Sequence, residues 1–464
     1  MANFVVDEDE RYMRFKSKVG AFAYALHDMQ LYSLNGNLPS PGTPLLSRPR
    51  FDYIETKYAK ATISVVTGCN LGCSYCTFGK LPPIMLQKMT PDTGRAIIDY
   101  LCAIFGSRCK RITISFTSNG EPSLNLETIE AIKAYARRNT TEANAPEFRF
   151  NFATNSIPLS IETLEQYLAE KDQDIFFSTD GPAELHNQLR ASRDSKDSYT
   201  EVATKIAYYR HKYDKYQKGF SCSTVLTALD SDFKRILLHL DAMGFEYIVM
   251  RPIRGFKNTD IGLNRDTLRI FLQGYKGLLD SLEERALSGN IDLLHKICNR
   301  YDFFGRLLSA LLLGEERVQG CPGCPSKYSD IAHYALVFDV DGQVYFPCRD
   351  FIGREEFRIG SVFTKIDLKR VREVMNRLRA TERPSCRGCW ARTMCGGGCY
   401  NAALAANGDI SEPDDNLCIL IRYLAYRALQ LVHELGILQP NLLQALTQRA
   451  ISVSPWAREV EEEE

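Results

Sequence analysis

From residue 61 to about 290 the chain alternates between short apolar runs of strand length and amphipathic stretches of helical period. The runs are "ATISVV", "RITISF", "FRFNFA", "DIFFS", "FSCSTVL" and "YIVMRP", with segments such as "NLETIEAIKAYARR" and "SDFKRILLHLDAMG" between them. Such alternation reads as roughly six β-α units. Parallel strands joined by right-handed crossovers build either an open doubly wound sheet or a barrel. In both, functional loops lie at the C-terminal ends of the strands. One helix start is marked in "TPDTGRAIIDYLCAIFG", with Thr90 as N-cap and Pro91 at the first position.

The flanks read differently. Residues 1–60 hold a strand-like stretch, "RFKSKVGAFAYALHDMQLYSL", expected to form a short hairpin, then "NGNLPSPGTPLLSRPR", whose four prolines and two glycines mark a linker. The α/β unit is expected over 61–290, a loop-rich, metal-organised segment over 291–430 with a hairpin at "DVDGQVYFPC", and a helix with the acidic tail "REVEEEE" over 431–464. Lys plus Arg (57) equals Asp plus Glu (57), so no global field attracts nucleic acid or an anionic membrane. With no long apolar run and no signal-peptide pattern in "MANFVVDEDERYMRF", a cytoplasmic protein is expected.

A reducing compartment makes the 15 cysteines thiols rather than disulfides, and metal ligation becomes their leading explanation. Three stand at Cys69, Cys73 and Cys76 (C-x3-C-x2-C), in the loop after the first strand, and eight lie between Cys321 and Cys418. Cys102, Cys109, Cys222 and Cys298 are scattered and read as small core residues. A structural zinc wants four ligands, whereas a four-iron cluster on three thiolates leaves one iron open to a substrate or cofactor.

Cys69, Cys73 and Cys76, with Tyr75 before the last, resemble the signature of the radical S-adenosylmethionine (SAM) superfamily. The resemblance implies a partial (β/α)6 barrel of TIM type, open at the side to a large substrate, over residues 61 to about 260. It implies that the open iron chelates SAM, whose reductive cleavage gives a 5'-deoxyadenosyl radical. Asn119-Gly120-Glu121-Pro122, after the second strand, resembles the family's G-G-E-P motif at the SAM amino group, with Asn119 replacing a glycine. Thr154 and Asn155, after the third strand, stand where the family places polar groups near the ribose. "STDGPAELHNQLR", after the fourth, matches S-x-D-G-P…H-x-x-x-R, which assigns the SAM carboxylate to Ser178 and Arg190. Asp180 and His186 read as shaping the turn and capping the next helix.

The C-terminal cysteines resemble the SPASM extension of peptide and sulfatase maturases, and a pair of zinc knuckles is the alternative. The family's interleaved pattern implies one auxiliary cluster on Cys321, Cys324, Cys348 and Cys399 and a second on Cys386, Cys389, Cys395 and Cys418, hence three [4Fe-4S] clusters in all. Gly396, Gly397 and Gly398 would let backbone N–H groups approach cluster sulfur, or simply form a tight turn. Asp350, two residues after Cys348, is the candidate base, against a surface salt bridge with Arg349 or Arg354.

A radical generator joined to an electron sink implies oxidative modification of a peptide side chain. "YFPCRDFIGREEFRIGSV" resembles maturases of ribosomal peptides, so a peptide-crosslinking oxidoreductase acting on a precursor peptide is expected. The alternative is a sulfatase-type maturase oxidising Cys or Ser to formylglycine. Either would take electrons from a donor such as flavodoxin or ferredoxin. A third reading, a non-catalytic metal scaffold for protein partners, would leave the SAM-type loops without a role.

Overall fold

The computed structural model describes residues 5–6, 12–25, 29–33, 58–76, 86–106, 109–117, 119–139, 146–193, 197–216, 220–254, 260–314, 335–346, 348–364, 366–378 and 383–453. Cys321, Cys324, the proline-rich linker and the acidic tail lie outside these residues.

An antiparallel sheet of four strands opens the chain: β1 (Val5–Val6), β2 (Tyr12–Ser17), β3 (Gly20–Ala25) and β4 (Leu31–Ser33), in that order. It extends beyond the expected hairpin and is fastened to the far end of the chain. Phe15 packs edge-on against Trp390 with centroids 5.3 Å apart, Phe22 stacks on His433 at 4.6 Å, and Tyr24 Oη lies 3.0 Å from Thr393 Oγ1. Burial of Phe15, Phe22 and Tyr24 provides the hydrophobic drive for this docking.

β5 (Tyr58–Ile63) begins the main sheet; β6 (Val66–Thr67) and β7 (Gln87–Lys88) form a short hairpin after it. β8 (Arg111–Phe116), β9 (Glu147–Thr154), β10 (Gln173–Ser178), β11 (Ser221–Leu226) and β12 (Tyr247–Pro252) follow, separated by helical crossovers. All six long strands are parallel and neighbour one another in sequence order. A doubly wound sheet would reverse this order at a switch point. The monotonic order is that of a barrel wall, and it decides between the two folds the sequence allowed.

Packing explains which way the wall faces. Along β9 burial alternates, with Phe148, Phe150, Phe152 and Thr154 buried and the residues between them half-buried. The buried set faces the helices: Phe152 meets Tyr167 of helix Ile161–Ala169 edge-on at 5.2 Å, and Phe177 of β10 meets Tyr209 of helix Ser198–Tyr216 likewise. Strands sandwiched on both faces read as continuous apolar runs. This alternation instead leaves the other face of β9 half-buried.

Beyond the barrel wall, β13 (Ala335–Phe338) pairs parallel to β5 and continues antiparallel into β14 (Gln343–Tyr345) and β15 (Arg358–Ser361), so the expected hairpin at residue 340 extends the main sheet. Helix Asp415–Leu438 runs through residue 430, where the sequence placed a boundary. The Thr90 N-cap is as expected, its side chain accepting from Thr93 N at the start of Pro91–Phe105. Cys109, Cys222 and Cys298 are buried in the core and Cys102 packs partly buried beside it. Among the described residues no helix is long and apolar enough to cross a membrane.

Candidate active site

The loops after β5, β8, β9 and β10 converge. Gly68 N donates to Asn119 O at 3.0 Å, and Glu121 N donates back to Gly68 O at 3.0 Å, so the cysteine loop and the Asn119–Glu121 loop are stitched by backbone. That approach requires glycine: a Cβ on Gly120 would stand 2.1 Å from Gly68 O. Farther along, Gly72 N donates to Ala191 O and Ser74 N to Leu189 O, at 2.8 and 2.9 Å, pinning the same loop to the segment around Arg190.

Glu121 is the hub beneath these loops. Its buried carboxylate accepts from Ser123 N, Ser123 Oγ, Thr154 Oγ1 and Asn155 N. Burial pushes its pKa up, and these four donors hold it back. Thr154 is thus committed to Glu121. Asn155 Nδ2 reaches Asn70 Oδ1 at 2.9 Å and Cys69 Sγ at 3.5 Å, a polar link to the first thiol. Asn70, which the sequence reading missed, is signalled only by its place beside Cys69.

Asp180 corrects an expectation. It caps no helix, since Ala183–Leu189 has Pro182 at its N-cap with no side-chain bond. Instead its fully buried carboxylate receives Arg190 Nε at 2.7 Å, Arg190 Nη2 at 3.2 Å and Tyr75 Oη at 2.6 Å. Val225 N, 2.9 Å away, also donates to it. Burial alone would raise the Asp180 pKa; the Arg190 charge and hydrogen bonds hold it below the usual carboxylate range. The Arg190 guanidinium, expected on the SAM carboxylate, is engaged by Asp180 and sits 5.5 Å from the centre of the Tyr75 ring. His186 braces the turn by accepting from Asp180 N through Nδ1 at 3.4 Å, and burial, then Arg190, lowers its pKa to about 4, keeping the ring neutral. Ser178 lies on the inner face beside Ser223 in register.

The first three thiols feel one another. Burial, then Glu121, then Cys73 and Cys76 push Cys69 up to about 12, and burial raises Cys73 to about 11. Among the described residues no three His, Cys, Asp or Glu side chains stand in an arrangement that would hold a single metal ion, and none of these thiols is in a disulfide. Neighbouring half-buried thiols whose anions repel are a donor set that a bound cation makes favourable, which fits an iron-sulfur group. In the C-terminal segment burial raises Cys386 and Cys389, and burial, then Cys395, with Cys386 and Cys389 adding, raises Cys418 to about 12. Gly396, Gly397 and Gly398, between two of the cysteines, have φ of 69°, 94° and 82°, a left-handed run open to glycine alone at low cost.

Cys348 and Asp350 are carried toward the same end of the barrel. Arg349 Nη1 donates to Thr117 Oγ1, just beyond β8, at 2.9 Å. Asp350 Oδ2 is 3.6 Å from Cys348 Sγ, and its other oxygen is 3.8 Å from Arg349 Nε, so the salt bridge with Arg349 forms at the limit of ion-pair distance.

Residues 63–240 match the Radical SAM superfamily. Over 352 residues the chain is 25% identical to the cysteine-type anaerobic sulfatase-maturating enzyme of Clostridium perfringens, covering 72% of this chain and 86% of that enzyme. Among solved structures, native anSMEcpe with bound AdoMet and the Cp18Cys peptide is similar with a TM-score of 0.63 at 20% identity, covering 84% of this chain and 99% of that one. Streptococcus suis SuiB bound to its precursor peptide SuiA is similar with a TM-score of 0.50 at 13% identity, covering 90% and 100%. The chain thus carries a radical SAM domain over residues 63–240 and is homologous to the anaerobic sulfatase-maturating enzymes; such a domain implies a [4Fe-4S] cluster and SAM.

Proposed function

We propose that the chain oxidises a side chain of a peptide or protein. Cys69, Cys73 and Cys76 would hold the SAM-binding cluster, the C-terminal cysteines would hold two auxiliary clusters, and a flavodoxin or ferredoxin would supply electrons. When bound, the first cluster and SAM supply a hydrogen-abstracting radical. The supporting observation is the convergence of four barrel loops on Cys69, with Gly120, Glu121 and Asn155 holding that loop in place. Ser178 and the Asn119–Gly120 backbone would orient SAM. Arg190 would present the face left by Asp180.

Two products fit. A thioether or carbon-carbon crosslink is supported by "YFPCRDFIGREEFRIGSV", and formylglycine is supported by the similarity to a sulfatase-maturating enzyme over 86% of its length. The relatives move the balance toward the second. Anaerobic incubation of the reconstituted enzyme with Cys- and Ser-containing peptides separates them, because formylglycine is captured by a hydrazide and a crosslink is not. A peptide recovered unchanged while 5'-deoxyadenosine accumulates would count against both.

Asp350 is the proposed base for the proton lost during oxidation. Asp350→Asn should leave SAM cleavage intact and suppress product; full product yield would reduce Asp350 to a partner of Arg349.

A further inference from the structure

Arg383 carries a charge with no carboxylate beside it among the described residues. It is 1% exposed and precedes the turn Pro384–Arg387, which bears Cys386. Its Nη1 donates to Gly397 O at 2.5 Å, Nη2 to Ile410 O, and Nε to Arg377 O at 3.3 Å, while the guanidinium lies 5.3 Å from the centre of the Tyr400 ring. Carbonyl dipoles and a ring face solvate a cation without neutralising it, and a buried lone charge is costly. The anion at hand is the thiolate of Cys386, three residues on, whose backbone N donates to Arg383 O at 3.0 Å and whose ionised form the Arg383 charge favours; behind it is the set formed with Cys389, Cys395 and Cys418. Four thiolates around a metal core retain net negative charge.

A second contact reaches the neighbouring ligand loop. Gly397 lies between Cys395 and Cys399, which the interleaved pattern assigns to different clusters. Holding the Gly397 carbonyl fixes the plane of the following trans peptide, whose N–H points the opposite way. Three consecutive left-handed glycines would otherwise be among the least constrained backbone in the segment.

We propose that Arg383 is a positioning residue for the auxiliary cluster on Cys386, Cys389, Cys395 and Cys418. Its charge offsets the negative charge of the cluster, and its carbonyl contacts set the glycine loop between the two auxiliary sites. This inference rests on the auxiliary-cluster reading above. Reduction adds an electron to an already anionic centre, so a fixed buried cation favours the reduced form, and removing it makes that cluster harder to reduce.

The test uses the full chain, reconstituted anaerobically, with Cys69, Cys73 and Cys76 replaced by Ala so that only auxiliary clusters give signals. Iron and zinc are measured, and the clusters are titrated potentiometrically by electron paramagnetic resonance, with Arg383 intact, as Arg383→Gln and as Arg383→Lys. At equal iron, Arg383→Gln should move one of the two transitions to more negative potential by at least a tenfold change in the ratio of reduced to oxidised cluster, ~59 mV for one electron. Arg383→Lys, which keeps the charge, should leave it near its original value. Unmoved potentials in Arg383→Gln at full iron would overturn the proposal, as would equal displacement in both variants. If Arg383→Gln does not retain iron, the lysine variant decides: full iron at the original potential supports the role of charge, and loss of the same iron overturns it. Zinc in place of iron with Arg383 intact would overturn the auxiliary-cluster reading itself, and metal analysis tells that failure apart from a potential that does not move.

Discussion

Lys60, on the first barrel strand, directs its ammonium at the Tyr301 hydroxyl 3.3 Å away, although Tyr301 belongs to the segment beside the last. That segment lies along the free side of β12: Phe303 N donates to Met250 O at 3.0 Å, and Met250 N donates to Asp302 Oδ2 at 2.8 Å. It covers an edge that would otherwise be open to pairing. The contact thus spans the wall from its first strand to its last, between groups distant in the sheet order.

A titration follows from that contact. The Lys60 charge, against burial and with help from Arg300, lowers the Tyr301 pKa from 10.0 to about 8. A depressed acid stabilises the folded state in its ionised form, so the contribution is complete above the unfolded pKa and is lost as pH falls through about 8. Absorbance at 295 nm should show one tyrosine ionising near that pH, absent in Tyr301→Phe and shifted upward in Lys60→Met. The stability difference between wild type and Lys60→Met should widen from pH 8 to 10. A difference that stays flat over this range would mean that the ion pair does not form.

Asp180 and Arg190 should behave as one unit. Breaking a buried pair by removing one partner costs about 3–5 kcal/mol, because the other charge is left uncompensated. Asp180→Ala and Arg190→Ala should each lower stability on that scale, and the double variant should lose much less than the sum in chemical denaturation. If Arg190 also meets SAM, Arg190→Ala should weaken SAM binding more than Asp180→Ala does at a temperature where both are folded. Equal SAM affinities would make the arginine a brace for the Tyr75 loop and nothing more.

The barrel was legible in the sequence because each strand is a distinct apolar run and each crossover has a helical period, as in "RITISF" and Leu126–Asn139. Residues held by local geometry were legible too, Thr90 at its N-cap being one. What escaped was long-range. Nothing near Asp180 in the chain shows that its ten-residue spacing to Arg190 closes into a buried bidentate pair, with Tyr75 arriving from a loop 105 residues earlier. The docking of Phe22 on His433 joins opposite ends of the chain and leaves no periodic trace. The parallel pairing of β13 with β5 was hidden likewise, since a hairpin signal specifies its own two strands and not the edge it joins.

Gly120→Ala tests whether the loops must touch. A Cβ there meets Gly68 O at 2.1 Å and Gly68 N at 2.7 Å, backbone atoms that cannot rotate aside, so the cysteine loop must shift. The variant should lose SAM cleavage and the first cluster while keeping the auxiliary iron: about twelve irons per chain should fall to about eight. Cys69→Ala with Cys73→Ala and Cys76→Ala should give the same count. Full iron and full cleavage in Gly120→Ala would show that the close approach is not needed for assembly.

The last prediction concerns the fate of the hydrogen atom. An oxidised product returns no hydrogen to the nucleoside, so SAM should be consumed as a co-substrate, with one 5'-deoxyadenosine released for each modification. Deuterium placed on the target carbon should appear in that 5'-deoxyadenosine. A crosslinked peptide, or one whose serine has become formylglycine, should be lighter by two hydrogens, and only the latter should react with a hydrazide. A cysteine converted to formylglycine exchanges its sulfur for oxygen and releases sulfide, which is measured separately. Deuterium missing from the nucleoside under turnover would exclude direct abstraction at that carbon. A product heavier by one methyl group would make the chain a methyltransferase, and neither oxidative reading would survive.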